Sequence, residues 1–67
     1  MDFRLLEVVR LEVDVPDEGL FKGTTGTIVH EFFAPNIAYE VEFTDSRGRT
    51  TAQLTLFPSQ LSLLVLL

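Results

Sequence analysis

Tyr39-Glu40-Val41-Glu42-Phe43-Thr44, then Asp45-Ser46-Arg47-Gly48, then Thr50-Thr51-Ala52-Gln53-Leu54-Thr55-Leu56: this stretch decides the fold class. Tyr39, Val41 and Phe43 alternate with Glu40, Glu42 and Thr44, and Ala52, Leu54 and Leu56 alternate with Thr51, Gln53 and Thr55. A period of two puts the apolar set on one face of a strand and the polar set on the other. The intervening Asp45-Ser46-Arg47-Gly48 has its glycine late, as a four-residue hairpin turn requires, so the two strands pair as a hairpin.

The same alternation runs N-terminally through Val9, Leu11 and Val13, giving a first strand from about Leu6 to Val13. Pro16-Asp17-Glu18-Gly19 breaks it, and Leu20-Phe21-Lys22-Gly23 extends a loop too long for a simple hairpin. Gly23 and Gly26 bracket Thr24-Thr25 and read as turn glycines needing positive φ. Thr27 to Phe33 follows as a β-branched and aromatic strand whose facing is ambiguous, a pattern that fits a bulge. Ala34-Pro35-Asn36-Ile37 makes a tight connection to the Tyr39 strand. Pro58-Ser59-Gln60 predicts one helical turn, and Leu61 to Val65 a last short strand. An α+β alternative would need its helix in Pro58 to Leu67, which is short and uniformly apolar. The expected architecture is therefore all-β: a five-stranded SH3-like barrel with a long first loop and a short helical turn before the last strand. Its inward set is Val9, Leu11, Val13, Ile28, Val41, Phe43, Ala52, Leu54 and Leu61, with Tyr39 at a rim where its hydroxyl stays wet.

At 67 residues the chain, 1–67, is read as one domain, since a core of this size buries only about 60% of the unfolded surface. It has no cysteine and a single histidine, so stability must come from side-chain packing alone. The lack of cysteine fits a cytoplasmic protein. Ten acidic against five basic residues give a net charge of −5, a field that repels phosphate backbones and argues against nucleic-acid binding. The start, Met1-Asp2-Phe3-Arg4, lacks the basic region of an export signal. From Thr50 to Leu67 no residue is charged, yet Thr, Gln, Ser and Pro interrupt the stretch and no membrane span is expected. The charge asymmetry leaves a C-terminal quarter that either closes the sheet or reaches a partner.

Leu5-Leu6-Glu7-Val8-Val9-Arg10-Leu11, Asp14-Val15-Pro16, Gly23, Gly26-Thr27-Ile28-Val29, Tyr39-Glu40-Val41-Glu42-Phe43, Asp45, Gly48-Arg49-Thr50 and Leu54-Thr55-Leu56 together resemble the DUF4926 family of small bacterial domains. The resemblance covers nearly the whole chain. It departs at Phe32-Phe33-Ala34-Pro35 and in the run Leu63 to Leu67. It implies an SH3-like fold and, because some members lie beside or fused to toxin-like domains, an immunity or antitoxin-like role. More distantly, the run from Val9 through the Gly-Thr-Ile turn to the Tyr39 strand is similar to the SH3-like ferredoxin-docking subunit of photosystem I. The basic docking surface which that likeness implies has only Arg4, Arg10, Lys22, Arg47 and Arg49 to build it here, among ten acids. Ribosome-associated KOW domains share the glycine-turn-strand pattern and imply the same missing basic surface.

His30 is the one side chain suited to acid-base work near neutrality, but no nucleophile or orienting group is marked beside it, so it reads as a surface residue and no enzyme is expected. One histidine without cysteine gives no zinc set, and neither a metal nor a cofactor is expected. Gly23-Thr24-Thr25-Gly26 lacks the lysine and following helix of a phosphate loop. The long first loop is the informative exposed feature: Asp14, Asp17 and Glu18 sit beside Leu20 and Phe21, which either plug the end of the barrel or supply an aromatic anchor for a basic partner. Glu40 and Glu42 project from one strand face, with Glu31 or Arg10 across from them according to register. The expected function is a non-catalytic protein-binding module, an antitoxin or immunity-like partner of a basic protein, using Asp14, Asp17, Glu18, Phe21, Glu40 and Glu42. The alternative is a structural accessory subunit or homo-oligomer that buries Phe32, Phe33, Leu64 and Leu66.

Overall fold

The computed structural model describes residues 3–64. Five antiparallel strands form one sheet: β1 (Val8–Leu11), β2 (Thr25–Phe32), β3 (Ala38–Thr44), β4 (Thr50–Leu56) and β5 (Leu61–Leu63), in the order β4-β3-β2-β1-β5. The only helical elements among the described residues are two 3₁₀ turns, Pro16–Glu18 in the first loop and Pro58–Gln60 before β5. The all-β class, the five strands, the long first loop and the turn before the last strand are as the sequence predicts.

Closure into a barrel is not. β4 and β5 are the two edges of the ladder and do not pair with each other. Phe57 to Gln60 carries the chain from β4 to β5 as a 3₁₀ turn rather than a hairpin, with the Gln60 side chain accepting a hydrogen bond from the Phe57 amide at 2.8 Å. β5 has only three residues, and all three pair with β1. The sheet wraps its two ends over one core, to which Leu56 of β4 and Leu61 of β5 both contribute, without joining them by backbone bonds.

That core holds Val9, Leu11, Ile28, Val41, Phe43, Ala52 and Leu61 as predicted, with Leu54 packed against it. Val13 lies outside it, because β1 ends at Leu11. Phe3, Leu20 and Leu56 belong to it as well. Tyr39 is not at a wet rim: it is fully buried, and its hydroxyl accepts a hydrogen bond from the Phe3 amide at 3.3 Å while the two rings meet edge to face at 5.4 Å. The expected bulge in β2 is present as a register shift between Ile28 and His30. It explains the ambiguous facing: Ile28 pairs with Val41 on the core side, whereas His30 pairs with Glu40 and Phe32 with Ala38 on the outer side.

Gly23 has the positive φ expected of it, at 98°. Gly26 does not, and its role is different: it lies inside β2, opposite Val9, where a side chain would collide with β3.

The Asp45 turn is built by its own carboxylate. Oδ1 accepts from the amides of Arg47 and Arg49, Oδ2 accepts from the Arg49 guanidinium, and Gly48 takes φ 77°. The two backbone bonds, from Arg49 and then Arg47, hold the Asp45 carboxyl below its ordinary value of 3.8. A depressed folded pKa gives stability that is present above the unfolded value and lost as pH falls through the folded one. Asp45→Asn is therefore expected to lower the melting temperature at neutral pH, with the gap from wild type closing as pH falls below 3.8. Circular dichroism melts across that range check it, and a gap independent of pH would remove the carboxylate from the account.

Candidate functional site

The first loop is a closed structure. Asp14 Oδ1 accepts from the Lys22 amide at 2.8 Å, Val15 and Leu20 form an isolated bridge, and Gly19 turns back in the left-handed region at φ 70°. Asp14 is thus committed to the loop base, while Asp17 and Glu18 sit exposed on the 3₁₀ turn at its tip. The two hydrophobic residues divide the roles open to them. Leu20 is buried in the core, and Phe21 is 54% exposed.

Glu40 and Glu42 lie on the outer face of β3, and the register sets His30 and Thr27 of β2 across from them instead of Glu31 or Arg10. Both carboxylates are held by neutral donors from β4. Glu40 accepts from Thr55 Oγ1 at 2.6 Å and from Gln53 Nε2 at 3.1 Å, and Glu42 accepts from Thr50 Oγ1 at 2.7 Å. His30 is exposed and its ring stands edge to face with Phe32 at 4.6 Å. No hydrogen bond or strand pairing among the described residues joins the first-loop acids to Glu40 and Glu42, so the six candidates fall into two separate places.

Two features were not foreseen. A groove of about 380 Å³ opens on the outer face, floored by Ala38 and walled by Phe32, Pro35 and Phe57, with Thr55 along one side. Ala38 is buried although it faces away from the core, with Phe32 paired to it across β2 and β3. The second is the turn from Arg4 to Glu7, closed by the Glu7 amide on the Arg4 carbonyl. Leu6 occupies the left-handed region there, at φ 69°, with its side chain 70% exposed. That backbone costs a branched residue about 1–2 kcal/mol. Leu5 and Phe33 flank a second concavity beside Phe3, Arg4 and Glu31.

Of the residues expected at an oligomer contact, Phe32 and Phe33 are exposed, and Leu64 is half-buried with its amide bonded to the Val8 carbonyl. Leu66 lies outside the described residues. Two ion pairs occur among the described residues, Arg10–Glu12 at 3.3 Å and Arg49–Asp45 at 3.1 Å. The Ser62 hydroxyl, with Arg10 adding to it, holds Glu12 below the usual glutamate value. No three histidine or carboxylate side chains among the described residues stand close enough to share a metal ion. No described helix is long and apolar enough to cross a membrane.

The family model for DUF4926, described as a domain of unknown function, matches residues 5–63. The chain belongs to the DUF4926 family. No curated protein and no solved structure matches it, so the likeness to SH3-like domains and to the photosystem I subunit gains no support. The DUF4926 match takes in the Leu5-Leu6 turn, the first loop, the outer face of β3 and the aromatic groove.

Proposed function

We propose that this DUF4926 domain is a small, non-catalytic protein-binding module that takes a basic partner in the manner of an antitoxin or immunity protein. The observation that carries the reading is the tip of the first loop, where Asp17 and Glu18 stand exposed on a turn pinned by the Val15–Leu20 bridge and Phe21 stands exposed just beyond it. A solvent-facing phenylalanine on a braced loop supplies contact area at little ordering cost, and carboxylates beside it select a cationic surface. The net charge of −5 favours the same partner at long range. Capture from the host extract on immobilised domain is expected to recover a basic protein, with recovery falling steeply as salt rises. Replacing Asp17→Asn, Glu18→Gln and Phe21→Ala together is expected to weaken capture by about a hundredfold, from one aromatic anchor and two charges. Capture that survives the triple replacement would put the contact elsewhere.

A structural or homo-oligomeric role is the second reading, favoured by Leu6. A leucine held at positive φ and turned to solvent is a cost that burial against another chain would offset. Leu6→Gly is expected to raise monomer stability by up to about 1 kcal/mol while dissociating any oligomer seen by light scattering. A wild-type chain that is monomeric at every concentration counts against this reading.

A further inference from the structure

The outer-face groove is a second site, separate from the first loop, and its chemistry is more specific than acidity. From Phe32 of β2, Ala38 of β3 and Phe57 after β4 it takes two aromatic walls and a small floor, both rings substantially exposed. Thr55, which lines one side, donates to Glu40 at 2.6 Å, so a carboxylate stands at the groove's edge. Thr55 and Gln53 fix each Glu40 oxygen in place without neutralising it, since both donors are uncharged and each oxygen keeps a further acceptor site. The outward positions of β2, β3 and β4 carry Glu40 and Glu42 and no lysine or arginine.

We propose that this groove receives an arginine side chain of a protein partner, its guanidinium stacked against Phe57 or Phe32 and hydrogen-bonded to Glu40. A flat, weakly hydrated cation suits a slot between phenyl rings better than a compact ammonium, and its fork matches a carboxylate already oriented by other donors. An acidic face without lysine or arginine on these three strands disfavours an anionic occupant. Glu42, held by Thr50 farther along β3, extends the negative field for a second basic residue of the same segment. The choice of a basic partner rests on the function proposed above; the choice of arginine and of this groove does not.

The probe is N-acetyl-arginine amide, titrated into the full chain and followed by amide chemical shifts, against the citrulline and lysine counterparts. Saturable shifts are expected at Phe32, Ala38, Glu40, Thr55 and Phe57. Citrulline, which keeps the shape and loses the charge, is expected to bind about tenfold more weakly or worse, and lysine by about threefold or more. Glu40→Gln preserves the size of the side chain and Phe57→Ala opens the slot; each is expected to cost about tenfold, with the rest of the spectrum reporting that the fold is intact. Equal binding of citrulline, indifference to Glu40→Gln, or shifts that avoid the groove would each overturn the site. If the probe avoids the groove while the first-loop triple variant still abolishes capture, the groove falls and the partner-binding reading stands. If the groove takes arginine while that variant changes nothing, the first loop is excluded and the arginine site stands.

Discussion

Gly26→Ala is expected to destabilise the domain by about 3 kcal/mol, at the upper end of what one added methyl group does to a packed core. A Cβ at Gly26 would lie 2.7 Å from Val41 Cγ1, 2.9 Å from the Glu42 carbonyl oxygen and 2.9 Å from Phe43 Cδ1. A side-chain tip alone could turn away. The carbonyl cannot, because the neighbouring pairs Thr27–Glu42 and Ile28–Val41 fix β3 against β2, and β1 holds Gly26 from the other side through Val9. Relief would require sliding one central strand against another. A chain of 67 residues has roughly 3–10 kcal/mol of stability in all, so the variant is expected to melt roughly 12 °C or more below wild type, or not to fold. Gly23→Ala is the control: nothing lies within 4 Å of its Cβ position, and only its φ of 98° opposes a side chain, at about 1–2 kcal/mol. Denaturant melts that rank the two variants equally would show that the close approach at Gly26 is not what the position is for.

Gly26 also marks a boundary of what the sequence can say. Glycine beside a turn and glycine under a crossing strand look alike in one chain, because the distinguishing atoms belong to Val41, Glu42 and Phe43, some fifteen residues away. Where local rules suffice, the reading holds. The alternation of β3 and β4 gives their faces, Asp45 and Gly48 give the turn, and Pro58 and Gln60 give the 3₁₀ turn, all from neighbours in sequence. Closure depended on whether two edges meet, which no period of two encodes. The site divides in the same way. That Glu40 and Glu42 share a face follows from their spacing, and that Phe21 rather than Leu20 faces solvent does not. The groove draws Phe32, Ala38 and Phe57 from three different parts of the chain, and only the β2–β3 register, shifted by the bulge at Ile28 and His30, brings Phe32 beside Ala38. One sign was available: Phe32-Phe33-Ala34-Pro35 departs from the DUF4926 pattern, and three of its four residues, Phe32, Ala34 and Pro35, line the groove.

Tyr39→Ala is expected to cost about 3–5 kcal/mol, a large part of the roughly 3–10 kcal/mol that a chain of this length has in all. The ring is fully buried, near the start of β3, where Tyr39 pairs with Leu56 of β4 on one side and with Glu31 of β2 on the other. Its removal leaves a cavity that two hydrogen-bonded neighbours prevent from collapsing. Tyr39→Phe separates the hydroxyl from the ring. The hydroxyl receives the Phe3 amide at 3.3 Å, a bond that ties the start of the described chain across the core, and its loss leaves a buried donor unpaired at about 1–2 kcal/mol. Hydrogen exchange distinguishes the two contributions. Tyr39→Phe is expected to speed exchange at the Phe3 amide while β3 and β4 stay protected, whereas Tyr39→Ala is expected to remove protection throughout the sheet. If Tyr39→Phe instead melts as wild type and leaves the Phe3 amide slow to exchange, the bond adds nothing and burial of the ring alone explains the position. Because the Phe3 segment leads directly into the Arg4–Glu7 turn, loss of the bond frees the chain on the N-terminal side of Leu6, whose own amide remains tied to the Ile28 carbonyl at 2.7 Å. Tyr39→Phe is therefore expected to loosen the exposed leucine turn before it weakens the aromatic groove on the opposite face of β3.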